Sequence, residues 1–148
     1  MNHDMADAKR VLLVDDETEF LEALAERLEA RGLGVDTAER GEVALDRARK
    51  RRYDAILLDM AMPGMTGLDT LRGLLEIDAN LQVILLTGRA TLEQGVEAMK
   101  LGALDLIEKP ADIATIVERI GEAAARKVSL EDRDIQRTMS DILRKKGW

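Results

Sequence analysis

The sequence contains no cysteine, which excludes disulfides, thiolate metal sites and cysteine nucleophiles. Its single histidine, His3, lies in the polar start MNHDMADAKR. Residues 1–8 read as a flexible tail, so His3 does not serve as a phosphohistidine relay, which argues against a kinase or phosphotransfer module. Aromatic residues are nearly absent: Phe20, Tyr53 and Trp148 each stand alone, leaving no platform for stacked bases. No window approaches the ~18 consecutive apolar residues of a membrane helix. The N-terminus lacks the apolar core of a secretion signal. A cytoplasmic location with no membrane partner is the expectation.

What the chain does have is charge and a core. Apolar residues make up 46% of the 148 positions, enough for one domain with a buried interior. The formal charge is −7, unevenly spread. Residues 1–125 hold 15 cations and 25 anions, a net −10, while residues 126–148 hold 7 and 4, a net +3. An acidic body is a poor match for nucleic acid, whose phosphates need a basic surface. The basic end reads as the solvated face of an amphipathic segment, and no nucleic-acid partner is expected.

Along the chain, short apolar runs alternate with helical patterns, the signature of a parallel α/β sheet. Arg10 to Val14 is a continuous apolar run, as expected for a strand covered on both faces, and it ends in Asp15-Asp16-Glu17. Phe20, Leu21, Leu24 and Leu28 recur at helical spacing, and Gly32 stands at a helix stop. Leu33 to Ala38 is a weaker, more polar strand, expected at the sheet edge. Glu42 to Arg51 predicts a helix with Val43, Ala44 and Ala48 inward. Tyr53 to Leu58 is a strand running into Asp59, followed by a loop from Met60 through Pro63 to Gly67 and a helix over 68–76. Gln82 to Leu86 ends at Thr87-Gly88. Thr91 to Leu101 is a helix closed by Gly102. Leu104 to Ile107 ends in Glu108-Lys109-Pro110, and Asp112 to Lys127 is the last helix of the body, with Ile113, Ile116, Val117 and Ile120 inward. The body spans 9–127. Over 128–148 a further helix is expected: Ser129-Leu130-Glu131-Asp132 resembles an N-terminal cap, Ile135, Met139, Ile142 and Leu143 keep helical spacing, and Arg144, Lys145 and Lys146 suit a helix C-terminus.

In an open parallel sheet, functional groups gather beyond the carboxyl ends of the strands. Four of the five strands deliver Asp15 and Asp16, Asp59, Thr87 and Lys109 to that edge. Taken singly, an Asp or Thr after a strand is a helix cap or turn former, and a lone Lys-Pro is a turn. In order and each at a strand end, they make an acid cluster with a cation and a hydroxyl beside it. Crowded carboxylates raise one another's pKa and seek a cation. Oxygen-only ligation with open positions suits Mg²⁺, whose charge would draw in a phosphoryl group. A carboxylate is then the nucleophile, with transfer governed by positioning and charge neutralisation.

From residue 9 to about 125 the chain resembles the receiver domains of bacterial two-component response regulators. The resemblance rests on Val11-Leu12-Leu13-Val14-Asp15-Asp16-Glu17, on Asp54 through Asp59 to Gly67, on Leu85-Leu86-Thr87-Gly88, and on Gly102 through Lys109 to Pro110. It implies a (βα)5 doubly wound parallel sheet of flavodoxin-like order 2-1-3-4-5, here with an extra C-terminal helix. Asp59 would be the phosphoacceptor. Asp16 and Asp59 would hold Mg²⁺ directly with the backbone carbonyl of Ala61, and Asp15 would act largely through water. Thr87 and Lys109 would bind the phosphoryl oxygens, and the Lys109–Pro110 peptide would be cis. The partner would be a histidine kinase or phosphotransfer protein. Leu106 stands where the family often has a switching Tyr or Phe, so no aromatic flip is expected. Ala61 and Arg89 occupy positions at which the family tunes dephosphorylation; Ala61 cannot orient a hydrolytic water, which implies a long-lived phosphoryl group.

A Mg²⁺-dependent phosphatase or phosphotransferase could use the same acids, but such enzymes need a substrate cap and no segment here is long enough. A pseudo-receiver that only binds partners is disfavoured by the intact acid, hydroxyl and lysine set. After about residue 127 there is no room for a DNA-binding domain, so the expected output is a conformational signal to a protein partner or a phosphorylation-dependent homodimer.

Overall fold

A computed structural model describes residues 9–62, 64–88 and 91–147. The N-terminal tail with His3, Pro63, Arg89, Ala90 and Trp148 lie outside the described residues. Five strands and five helices alternate: β1 Arg10–Val14, α1 Thr18–Glu29, β2 Gly34–Ala38, α2 Gly41–Lys50, β3 Ala55–Asp59, α3 Gly67–Ile77, β4 Val83–Thr87, α4 Leu92–Leu101, β5 Asp105–Glu108 and α5 Ile113–Lys145. The strands form one parallel sheet in the order β2-β1-β3-β4-β5, the doubly wound order the resemblance implies. The polar strand β2 is at an edge, as its composition predicts.

The unbroken apolar runs of β1, β3 and β4 have one cause: both faces of the sheet are covered. Leu12, Val14, Ile56, Leu58 and Leu85 point to one side and pack with Ala44, Leu71, Leu74 and Ala98 of α2, α3 and α4. Val11, Leu13, Leu57, Ile84 and Leu86 point to the other and pack with Leu21, Leu24 and Leu28 of α1 and Ile116 and Ile120 of α5. The alternation follows the two-residue period of a strand. Gly32 and Gly102 take φ of +88° and +124° just past α1 and α4, where the sequence places the helix stops. Strand limits shift by one or two residues from the sequence reading, and the shift matters at two places. Asp59 and Thr87 are the last residues of β3 and β4, paired within the sheet where the sequence pattern runs the strands only up to them.

The segment after Lys127 departs from the expectation of a separately capped helix. Residues 128–145 are helical, but as the continuation of α5, a single helix of 33 residues. Ser129 lies inside it and caps nothing. No glycine or proline occurs between Gly121 and Gly147, and Ala123 to Lys127 are strong helix formers. A break at Ser129 would strand carbonyls that an unbroken helix satisfies. The true cap is Asp112, whose side chain accepts a hydrogen bond from the Thr115 N–H at 2.7 Å.

Candidate functional site

Parallel register brings the chemistry together. Val14 pairs with Leu58, so Asp15 and Asp59, each one step further, are neighbours. Thr87 pairs with Glu108, and the Lys109 N–H donates to the Thr87 carbonyl at 2.7 Å. The ladder thus carries one residue past β5 and fixes Lys109 at the same edge.

Asp15 and Asp59 are buried, 1% and 3% exposed, whereas Asp16 faces solvent. One carboxylate oxygen from each of Asp15, Asp16 and Asp59 lies within 4.8 Å of the others. The Lys109 Nζ reaches between the two buried acids, 3.2 Å from Asp15 Oδ2 and 3.5 Å from Asp59 Oδ1. Asp15 also accepts the Glu17 N–H at 2.9 Å, and Asp59 accepts the Ala61 N–H at 3.3 Å. Both Asp15 oxygens therefore already have partners, while Asp16 makes no hydrogen bond among the described residues.

The electrostatics follow from burial. Desolvation pushes the Asp59 pKa up, the Asp15 charge adds to it, and Lys109 with the Ala61 N–H offsets part. Desolvation alone would lower the Lys109 pKa, but Asp15 and Asp59 outweigh it and hold the ammonium well charged. Lys109 Nζ also lies 4.7 Å from the centroid of the Phe20 ring, within cation–π range. The sequence reading placed Phe20 only on the inner face of α1; its second role depends on the side-chain direction of Lys109, for which the pattern holds no signal.

Thr87 is fully buried, and its Oγ1 has no hydrogen-bond partner among the described residues. An unpaired buried hydroxyl costs free energy, so this oxygen is a place where a further acceptor would be welcome. Its methyl group and Leu106 are packed under α4 at Gly95, where an added β-carbon would meet Leu106 Cδ1 at 2.5 Å and Thr87 Cγ2 at 2.9 Å. Gly95 was not singled out by sequence; a glycine in the middle of α4, where it lowers helix propensity, was the available clue. The Lys109–Pro110 peptide is cis. Of the expected site residues, the structure gathers Asp15, Asp16, Asp59 and Lys109, sets Thr87 and Leu106 together beneath α4, and leaves Arg89 outside the described residues.

Residues 11–121 match the response regulator receiver domain family, and the chain belongs to that family. Over 125 residues it is 36% identical to the uncharacterized transcriptional regulatory protein YkoG of Bacillus subtilis, covering 84% of this chain and 54% of that protein. The chain thus spans about half the length of that relative. Among solved structures, a response regulator receiver domain protein from Clostridium thermocellum superposes with a TM-score of 0.77 at 31% identity, covering 82% of this chain and 98% of that one. An adenylate cyclase structure from Rhodopirellula baltica superposes with a TM-score of 0.83 at 28% identity, covering 88% of this chain and 98% of that one. The protein is a two-component signalling module, and no helix among the described residues is long and apolar enough to cross a membrane.

Proposed function

We propose that Asp59 accepts a phosphoryl group from a histidine kinase or phosphotransfer protein in a Mg²⁺-dependent reaction, and that the modified domain signals by a change of conformation. The observation that carries this reading is the ammonium of Lys109 lying between Asp15 and Asp59, with Asp16 completing an oxygen cluster at the sheet edge. Three hard oxygen donors fit Mg²⁺, which takes few protein ligands and shares phosphate oxygens. Asp16 and Asp59, with the Ala61 carbonyl, would hold the ion directly and Asp15 largely through water; the engaged oxygens of Asp15 and the unengaged ones of Asp16 support that division. When bound, the ion neutralises carboxylate charge and polarises the incoming phosphoryl group.

The residues of the chain do the rest. The carboxylate of Asp59 attacks phosphorus, the bond to the donor breaks, and the donor group leaves with its electron pair. Lys109 meets the charge arriving on the phosphoryl oxygens, and the Thr87 hydroxyl supplies a hydrogen bond it does not use otherwise. Moving Thr87 relieves or tightens its packing with Leu106 and Gly95, which biases α4 and the loop before it without an aromatic ring. The exposed Leu92, Val96 and Met99 on α4 support a partner or a phosphorylation-dependent second copy on that face. The acidic body supports a protein rather than a nucleic acid as the immediate listener. A cytoplasmic setting belongs to the same proposal. Ala61 offers no group to orient a hydrolytic water, so the phosphoryl group is expected to persist, with Arg89 as a second tuning position; loss within seconds from the labelled protein would count against this.

Incubation with acetyl phosphate and Mg²⁺ tests the assignment. The wild-type chain should take up one phosphoryl group and lose that ability when Mg²⁺ is chelated. Asp59→Asn should not label; labelling equal to wild type would remove Asp59 from the proposal.

A further inference from the structure

The body ends before α5 does. The last buried side chain of α5 is Lys127, and 18 further helical residues, roughly 27 Å at 1.5 Å each, follow it. Lys127 Nζ lies 3.5 Å from Asp78 and 3.4 Å from Glu131. Glu131 also pairs with Arg52, and the Asn80 amide donates to Asp134 at 2.7 Å. These contacts fasten the start of the extension to the loops before β3 and β4, and they are all polar.

Leu130 is half-buried, and the other apolar side chains of the extension are exposed. Val128, Ile135, Met139 and Ile142 are 57%, 61%, 56% and 46% exposed. Their spacing of seven, four and three residues is that of a helix-pairing seam. At about 100° per residue, this seam is centred roughly 100° around the helix from Ile116, Ile120, Ala123 and Lys127, which face the body. The domain's own surface therefore does not cover it. A polar helix segment of this length is marginal in water without a packed face, and exposed apolar seams mark interaction sites.

Charge selects the occupant. The first half of the extension holds Glu131, Asp132, Arg133 and Asp134, and the last turns hold Asp141, Arg144, Lys145 and Lys146. One end is net acidic and the other net basic. Asp132, Lys145 and Lys146 take no ion pair among the described residues, whereas Arg144 is paired with Asp141. Side by side in the same direction, two copies would set Asp132 against Asp132 and Lys146 against Lys146. In opposite directions, Asp132 meets Ile142 of the other copy with Lys145 and Lys146 one turn away.

We propose that the α5 extension pairs antiparallel with the α5 extension of a second copy of this chain, with Ile135 of each copy packed on Met139 of the other and Val128 and Ile142 flanking them beside Lys146 and Asp132 of the other copy, without any phosphoryl group on the domain. This self-association is independent of the phosphoryl chemistry and of the exposed face of α4.

Light scattering on the unphosphorylated 148-residue chain should return twice the chain mass. Ile135→Glu combined with Met139→Glu should return the single mass with an unchanged thermal melt of the body, since both side chains are exposed. A wild-type monomer at every attainable concentration, or a dimer that survives the double substitution, would overturn the proposal. Because the chain has no cysteine, direction can be read from oxidative cross-linking of single-cysteine variants. Asp132→Cys mixed with Ile142→Cys should give a cross-linked heteropair, and Asp132→Cys alone should give none. Efficient self-cross-linking of Asp132→Cys would show a parallel pair and refute the antiparallel one.

Discussion

A β-carbon on Gly95 would stand 2.5 Å from Cδ1 of Leu106, so α4 crosses β5 with no space between the helix backbone and that side chain. The Thr87 methyl closes the other side at 2.9 Å. Leucine can rotate away, but a β-branched residue at the end of a buried strand has little freedom. Gly95→Ala is expected to lose the about 1–3 kcal/mol typical of overpacking, offset by the ~1 kcal/mol that alanine gains in a helix, for a net cost of about 1 kcal/mol. Trimming Leu106 to Ala in the same chain should recover part of the loss, a non-additivity that denaturant titration of the four combinations will measure.

The buried acids make a prediction about pH. Burial and then Asp15 raise the Asp59 pKa in the fold, so the native state binds that proton more tightly than the unfolded chain does. Stability contributed by Asp59 is then present at low pH and declines as pH rises from the ordinary carboxylate value through the folded one. Asp59→Asn should melt higher than wild type at neutral pH, with the gap closing as the solution is acidified. Added Mg²⁺ should raise the wild-type melting temperature and leave the variant nearly unmoved. A variant that melts below wild type at neutral pH would contradict the assigned repulsion.

Tyr53 is fully buried, and its hydroxyl donates to Asp36 at 2.7 Å. Burial first, and this hydrogen bond to a carboxylate second, push its pKa above the ordinary phenol value. The stability it supplies is whole below the unfolded phenol pKa and is lost as pH climbs beyond it. Tyr53→Phe should cost about 1 kcal/mol near neutrality, and it should make the alkaline unfolding limb shallower, as followed by circular dichroism.

Lys127 is buried at 4% side-chain exposure, yet its partners Asp78 and Glu131 are 42% and 33% exposed. Removing the ammonium leaves two carboxylates that water can reach, so the large penalty of an orphaned buried charge does not apply. Lys127→Met is expected to change global stability by no more than about 1 kcal/mol. Its effect should appear instead in amide exchange, faster around Glu131 to Asp134 than in wild type.

The sheet was legible because β1, β3 and β4 are buried on both faces and so cannot hide a polar residue before their ends. For the same reason Asp15, Asp59 and Thr87 stood out. Two things were not legible. Contacts that depend on where a long side chain swings, such as Lys109 over Phe20 or Lys127 onto Asp78, leave no periodic trace. Ser129 misled because the cap pattern is local, while the choice between stopping and continuing a helix is set by the alanines and lysine before it.

Asp112 starts α5 only three residues after Lys109, and the same helix runs unbroken to Lys145. One end of a stiff rod is therefore anchored beside the acid cluster, and its free end lies beyond the opposite edge of the sheet. Geometry lets such a rod carry a tilt from one edge of the domain to the other. A tilt of about 10° about its last contact with the body, Asp134 on Asn80, would carry the tip roughly 3 Å across the 11 helical residues beyond it. That shift at the tip is about half the spacing between two turns of helix.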